Sequence, residues 1–254
     1  MASKKSYGLY LLYLVAQKKI IIVGASSGIG REIANTYATM GYKVGITGRR
    51  EHLLNELKEN YPDQIFTSCF DVMENQNQEK LRKLIQNLGG LDVLIYNSGY
   101  GDPSSELNWE IENRTTKTNV NGFVEIVGYA FNYFVKQGYG QIAITSSVAA
   151  VRGNSWAPAY SASKAFMSNY AEGLNIKSRR LEKDIIVTDI RPGFIDTKLA
   201  KGNRQFWVVS QKKAVKEIIK AIEKKKRVVY VTKKWWLVAL IMKLLPYGVY
   251  RRIV

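Results

Sequence analysis

Cysteine, histidine and proline are all scarce in this chain of 254 residues, which holds one Cys, one His and five Pro. A single cysteine, Cys69, can close no intrachain disulfide and supplies no thiolate zinc cage, so no covalent staple and no metal site is expected, and a reducing compartment suits the chain. The lone histidine, His52, sits in the charged stretch Arg49-Arg50-Glu51-His52. A Ser-His-Asp hydrolase would have to use that one imidazole, and no nucleophile motif points to it; it reads as a solvated residue at a helix start. Long apolar runs are missing too. Near the C-terminus the longest is Trp235 to Met242, where roughly 20 residues are needed to span a bilayer. At the other end, Lys4 and Lys5 precede the apolar stretch Tyr10 to Ala16 and loosely resemble a signal peptide. Leu14, however, stands where cleavage after Ala16 would need a small residue. Residues 1–17 are read as an extra N-terminal segment. No linker and no Pro/Ser-rich tract suggests a second domain.

What the chain has in quantity is core material and positive charge. It is 46% hydrophobic and 23% charged, with a net charge of +17, a globular composition that excludes disorder and fibrous repeats. The charge is uneven. Residues 201–254 hold 15 Lys and Arg against 2 acids, whereas residues 1–200 hold 23 against 19. Such asymmetry points to an anionic partner, either a membrane surface or nucleic acid, against the plainer reading of a solvated surface.

Strand and helix signals alternate. Ile20-Ile21-Ile22-Val23 is an unbroken apolar run, as expected of a strand covered on both faces of a parallel sheet. Further strands are expected at Lys43–Thr47, Gln64–Phe70, Leu91–Tyr96, Gln141–Thr145, Ile185–Ile190 and Arg227–Val231. The helices between them are expected at Arg31–Met40, Glu51–Asn60, Gln78–Leu88, about Asn119–Gln137, Tyr160–Leu181 and Ser210–Lys224. This order predicts an α/β fold, a doubly wound parallel seven-stranded sheet of Rossmann type in three layers, spanning residues 18–232. Residues 233–254 follow as a basic, apolar C-terminal helix.

The first strand runs into Gly24-Ala25-Ser26-Ser27-Gly28-Ile29-Gly30 and straight into a helix. Glycines at that junction let the backbone turn tightly and bring its N–H groups to a pyrophosphate. Where the second strand ends, a carboxylate would select NAD through the ribose 2′-hydroxyl, whereas an arginine accommodates the 2′-phosphate of NADP. The chain reads Gly48-Arg49-Arg50 there, and two guanidiniums suit a dianionic phosphate. The cofactor expected is therefore NADP(H), with NAD(H) as the alternative. Tyr160 and Lys164 are four apart on an expected helix and share a face. An ammonium beside a phenol favours the phenolate, so a lowered tyrosine pKa is expected. Ser147 follows the fifth strand, at the carboxyl edge where open α/β sheets bind ligands.

Together with Asp71-Val72, Tyr96-Asn97-Ser98-Gly99, Thr118-Asn119-Val120-Asn121-Gly122, and Arg191-Pro192-Gly193 followed by Thr197, these motifs resemble the short-chain dehydrogenase/reductase (SDR) family over roughly Lys18 to Thr232. The resemblance implies an oxidoreductase that interconverts a carbonyl and an alcohol. It makes Tyr160 the general acid/base, gives Lys164 the nicotinamide ribose, has Ser147 hydrogen-bond the substrate oxygen, and assigns Asn119 a water-mediated relay to Lys164. It puts Asp71 at the adenine, Asn97 and Gly99 near the adenosine side, and Ile195 with Thr197 at the carboxamide, after Pro192 and Gly193. It also implies a homodimer or homotetramer. Val23, Tyr96 and Ser98 depart from the family's usual residues at structural positions.

Two matters stay open at this stage. The segment Asp196–Ser210, with Phe206 and Trp207, reads either as an apolar lid for a lipid-like substrate or as cover for the core. The tail, Lys233-Lys234 then Trp235 to Met242 then Lys243 and Arg251-Arg252, reads either as a peripheral membrane contact over residues 233–252 or as a helix packed on protein. A nucleic-acid partner is not expected, because the aromatics lie in a continuous apolar run. Two non-enzyme alternatives are a catalytically silent nucleotide-binding scaffold, against which the full set of Ser147, Tyr160 and Lys164 argues, and a nucleic-acid binder acting through the basic C-terminal tail. The expected location is cytoplasmic, with any membrane contact on the inner face.

Overall fold

Strands covered on both faces need apolar residues at nearly every position, and runs such as Ile20-Ile21-Ile22-Val23 and Val93–Tyr96 meet this at the centre of one seven-stranded sheet, whose two edge strands are more polar or more exposed. A computed structural model describes residues 17–197 and 206–253. The strands are β1 (Lys19–Val23), β2 (Lys43–Gly48), β3 (Ile65–Cys69), β4 (Val93–Tyr96), β5 (Tyr139–Thr145), β6 (Asp184–Pro192) and β7 (Val228–Val231), and they pair in the order β3-β2-β1-β4-β5-β6-β7. Every pairing is parallel. The order reverses between β1 and β4, so the turns that leave these two strands diverge and open a crevice at their carboxyl ends. Expectations about residues 1–16 and 198–205 lie outside the described residues.

The helices are α1 (Gly28–Thr39), α2 (Glu51–Asn60), α3 (Asn77–Leu88), α4 (Trp109–Thr116), α5 (Gly122–Gln137), α6 (Pro158–Arg180), α7 (Gln211–Glu223), α8 (Lys234–Leu244) and the single turn α9 (Tyr247–Tyr250). Ile20, Ile22, Val93 and Ile95 point to one side of the sheet and pack with Ile33, Tyr37 and Leu54 and with Ile218 and Ile222 of α7. Ile21, Val23, Leu94 and Tyr96 point to the other, against Leu81, Phe123, Phe131, Phe134 and Met167. The alternation of period two is thus present inside runs that look uniformly apolar. A third, smaller cluster joins Val148 to Trp235 and Ala239 of α8.

The helix expected from Asn119 begins earlier. α4 starts at Trp109, where the Asn108 side chain accepts from the backbone N–H of Glu110 at 2.9 Å and Ile111 at 3.3 Å, a side-chain cap. α4 buries only Thr115, so it carries no apolar stripe to announce it. A π-helical turn, Lys117–Asn121, joins it to α5. Such turns occur often at functional sites, and this one buries Asn119 completely.

Phe134 is fully buried on α5, with its ring filling the space that a side chain on Gly140 would take. Phe134→Ala should lower the unfolding free energy by about 3–5 kcal/mol. Urea titration would register this as a lower midpoint at an unchanged slope.

Candidate functional site

The crevice is built on the close approach of two backbone segments. Gly24 turns with φ of +87°, and the N–H groups of Gly24 and Ala25 donate to the Thr47 carbonyl at 3.1 and 2.8 Å. A β-carbon on Gly30 would collide with the Gly24 carbonyl oxygen, so α1 can begin this close to β1 only with glycine there. Asn97, just past β4, donates from Nδ2 to that same carbonyl at 3.1 Å and accepts from the Thr145 hydroxyl at 3.2 Å. Ser27 is the N-terminal cap residue of α1, yet its side chain makes no capping bond. The first N–H groups of α1, at Gly28, Ile29 and Gly30, therefore lack a side-chain partner and face the crevice end of the helix, with its partial positive charge.

The two arginines after β2 go to different places. Arg50 donates to Ser26 Oγ at 2.8 Å and Ser27 Oγ at 2.7 Å, so its guanidinium lies against the glycine turn. Arg49 pairs with the Asp71 carboxylate at 3.3 Å. Asp71 Oδ1 also accepts from the Met73 N–H, and Val72 is buried behind it. Among the described residues, the groups around the turn from Gly24 to Gly30 are backbone N–H groups, two hydroxyls and a guanidinium. That donor set, and a space kept clear by glycine, fits the phosphates of a dinucleotide. Across the crevice, Thr197 places its methyl group 3.6 Å from where a β-carbon on Gly28 would stand. Ile195 is buried and bridges to Val209.

Ser147 follows the end of β5, where its hydroxyl accepts from the Ala149 N–H at 3.1 Å and caps the 3-10 turn Val148–Val151. The same hydroxyl is a neighbour of the Tyr160 phenol and lies 3.5 Å from the Pro192 carbonyl. Tyr160 stands in the first turn of α6, its ring against the backbone of Gly101. One turn on, the buried Lys164 donates from Nζ to the Thr145 carbonyl at 2.8 Å and lies 5.7 Å from the centre of the Tyr160 ring. A β-carbon on Gly99 would come within 3.3 Å of Lys164 Nζ and 3.6 Å of Asn119 Oδ1, so Gly99 borders the lysine. Both ends of the Asn119 amide are engaged, with the Tyr100 N–H and carbonyl at 2.8 and 2.7 Å and with Ser163 Oγ at 2.9 Å. The expected group Asn119, Ser147, Tyr160 and Lys164 thus converges from three elements.

Burial sets the electrostatics. Desolvation pulls Lys164 down to about 8, opposed by the field of Asp189. Tyr160 shifts the other way from the expectation: burial raises the phenol above its ordinary value, and the neighbouring Ser147 hydroxyl only partly counters this. The lysine's own hydrogen bond goes to the Thr145 carbonyl and not to the phenol.

Several contributors were not foreseen. Asp189 is buried in β6, where it accepts from the Ser146 hydroxyl and pairs with Arg191 at 2.7 Å; its signal was a charged residue inside an apolar strand. Trp235 packs so closely on Gly193 that any side chain there would collide with the indole, and it joins Phe194, Phe206 and Trp207 in one aromatic group. No local pattern links positions 193 and 235.

A pH signature follows from the lysine. Below about pH 8 it is charged whether folded or unfolded, and the folded chain bears the whole burial penalty. Between about 8 and the ordinary lysine value of 10.5, the folded chain has shed the proton and the unfolded chain still holds it, so stability rises with pH. Urea unfolding of the unsubstituted chain and of Lys164→Met should differ by about 2 kcal/mol more, in favour of the lysine, at about pH 9.5 than at about pH 7. An unchanged difference would mean that Lys164 is not titrating there.

Comparison with known proteins agrees with this geometry. The sequence model of the family described as short chain dehydrogenase matches residues 18–207. An uncharacterized oxidoreductase of Mycobacterium tuberculosis is 32% identical over 221 residues, covering 83% of this chain and 86% of that protein. A short chain dehydrogenase of Burkholderia cenocepacia in complex with NADP has a TM-score of 0.80 at 18% identity, over 94% of this chain and 98% of that one. One of Burkholderia phymatum in complex with NAD has a TM-score of 0.79 at 18% identity, over 89% and 92%. With the family model covering most of the chain and a relative 32% identical over 83% of it, the chain belongs to the short chain dehydrogenase family of oxidoreductases.

Proposed function

We propose that the chain is an NADP(H)-dependent oxidoreductase that interconverts a carbonyl and an alcohol, with an apolar or lipid-like substrate and Tyr160 as general acid/base. The observation that carries this reading is the grouping of Ser147 at the carboxyl edge of β5 with Tyr160 and, one helical turn on, the buried Lys164, whose Nζ lies 5.7 Å from the centre of the Tyr160 ring. When bound, the nicotinamide supplies hydride to the carbonyl carbon or takes it from the carbinol carbon. In the reductive direction, negative charge grows on the substrate oxygen. The two hydroxyls stand where hydrogen bonds would stabilise it, and Tyr160 gives up its proton to that oxygen. In the oxidative direction it takes the proton back. Raised by burial, the phenol holds its proton well at neutral pH, which suits the reductive direction. A lysine near 8 stands ready to restore that proton, and the Asn119 amide holds the Tyr100 segment and α6 in register around it.

The choice of NADP(H) rests on Arg50, whose guanidinium already lies on the two serines of the glycine turn, and on the lack of a carboxylate at the end of β2. Asp71, Asn97, Gly99, Pro192, Gly193, Ile195 and Thr197 border the remainder of the dinucleotide groove in this reading. The apolar substrate rests on the aromatic group of Phe194, Phe206, Trp207 and Trp235 beside the Pro192-Gly193 turn. A homodimer or homotetramer acting in the cytoplasm accords with the family and with the free thiol of Cys69.

Two measurements test this. Arg50→Ala should weaken NADPH by about 10- to 100-fold, the worth of one charge-assisted contact, and leave NADH nearly unchanged. Calorimetric titration of both nucleotides decides it, and tighter NADH than NADPH binding by the unsubstituted chain would reverse the assignment. Tyr160→Phe should lose roughly 10²–10⁴-fold in turnover of an active carbonyl while binding NADPH as before. Near-normal turnover would move the proton donor elsewhere.

A further inference from the structure

Helix α8 is apolar on every side from Trp235 to Met242. A helix of that kind is normally buried all round, and this one is buried on one side only. Trp235 and Ala239 are buried, and Val238 and Met242 pack with them against Val148, Val151 and Phe194. The opposite side presents Trp236, Leu237, Leu240, Ile241 and Leu244 to solvent, with Leu244 72% and Trp236 55% exposed. Their spacing makes one continuous stripe along the helix. Lys233, Lys234, Lys243, Arg251 and Arg252 flank it, all exposed. From Lys224 to the last residue the chain has no Asp or Glu.

We propose that this outer face of α8 seats the protein on an anionic lipid surface. The five apolar side chains enter the boundary between headgroups and acyl chains, and the five cations meet the headgroups. The helix is too short to cross: among the described residues no helix is long and apolar enough to span a membrane. Charge selects this occupant over a second copy of the chain. A two-fold contact through the stripe would bring cation against cation, with no acid on the segment to separate them. Nucleic acid is disfavoured by the stripe itself, whose aliphatic side chains offer nothing to phosphates. The seat is mechanically joined to the substrate side. Arg152, five residues beyond Ser147, donates to the carbonyls of Met242 at 2.9 Å and Leu245 at 2.5 Å and lies 4.1 Å from the centre of the Tyr250 ring. The Tyr250 hydroxyl donates to the Gly153 carbonyl at 2.6 Å. A protein held by α8 would therefore keep the Ser147 turn and the aromatic group around Trp235 directly behind the lipid-facing helix. The proposal goes beyond the redox reading and is tested without turnover, so the two can fail separately.

The test is co-sedimentation of the full chain with vesicles of phosphatidylcholine alone or carrying about 30% phosphatidylglycerol. The unsubstituted chain should partition onto the anionic vesicles at least about tenfold better than onto the neutral ones, and less so as salt is raised. Leu237→Gln/Ile241→Gln/Leu244→Gln, all at solvent-facing positions, should lower partitioning about tenfold or more. Lys233→Gln/Lys234→Gln/Lys243→Gln should lower it about fivefold for each cation removed. Thermal melts by circular dichroism establish that the variants are folded. Recovery of the unsubstituted chain in the supernatant, or equal pelleting of the chain and the apolar-stripe variant, would overturn the proposal. So would a smaller particle for that variant by sedimentation velocity with lipid binding unaltered, which would assign the stripe to contact between copies. Binding to duplex DNA in the absence of vesicle binding would overturn it as well.

Discussion

One asparagine side chain ties together the three strand ends from which the whole site hangs. Asn97 leaves β4 and spans from the Gly24 carbonyl, at the end of β1, to the Thr145 hydroxyl, at the end of β5. These are the strands on either side of the point where the sheet order reverses. The crevice there would otherwise be lined by unpaired carbonyls and amides, each costly to leave without a partner in a buried setting. By satisfying one from each side, the amide sets the distance between the glycine turn, which belongs to the nucleotide half, and the Thr145–Ser147 segment, which belongs to the reacting half. Thr145 then passes the constraint on, since its carbonyl receives the Lys164 ammonium.

Burying Lys164 is the costliest feature of the site, and the surroundings are organised around it. Among the described residues no carboxylate pairs with the ammonium directly. The nearest influence of that sign is Asp189, itself engaged by Arg191 and Ser146. A tight ion pair would have held the lysine charged well above neutrality. A carbonyl at 2.8 Å and a distant carboxylate leave it close to neutrality instead. The same dryness raises Tyr160. Lysine and tyrosine are thus both pushed toward their neutral forms. The desolvation that costs stability is what sets both shifts.

The C-terminal segment is also part of the site's architecture. Trp235 occupies the space that glycine leaves at position 193, and Arg152 closes the far end of α8 over the turn that follows Ser147. Both ends of that helix are therefore anchored to segments that flank Tyr160. This explains how an apolar helix at the end of the chain can hold its place with only half its surface covered.

Much of this was written locally. Unbroken runs such as Ile20-Ile21-Ile22-Val23 determine strands covered on both faces, because only a doubly covered sheet tolerates apolar residues at every position. Gly24 and Gly30 at a strand-to-helix junction determine a close backbone approach, because a β-carbon at either would collide with neighbouring backbone. Tyr160 and Lys164 share a face by helical geometry alone. Other features depended on distant segments meeting. α4 has no apolar stripe and stands by virtue of an Asn108 cap and its junction with α5, so periodicity passed over it. Arg49 and Arg50 are neighbours with identical chemistry, and only the folded turn sends one to Asp71 and the other to the serines. The direction of the tyrosine's shift was misread because spacing reveals which charge is near, whereas burial depends on everything packed around the ring. Sequence alone was enough for the fold class, the glycine turn and the shared helix face of Tyr160 and Lys164, all of which follow from short-range geometry. The tertiary structure alone decided the protonation balance, the separate tasks of the two arginines and which face of α8 is left uncovered, since each is a sum over contacts made by residues far apart in the chain.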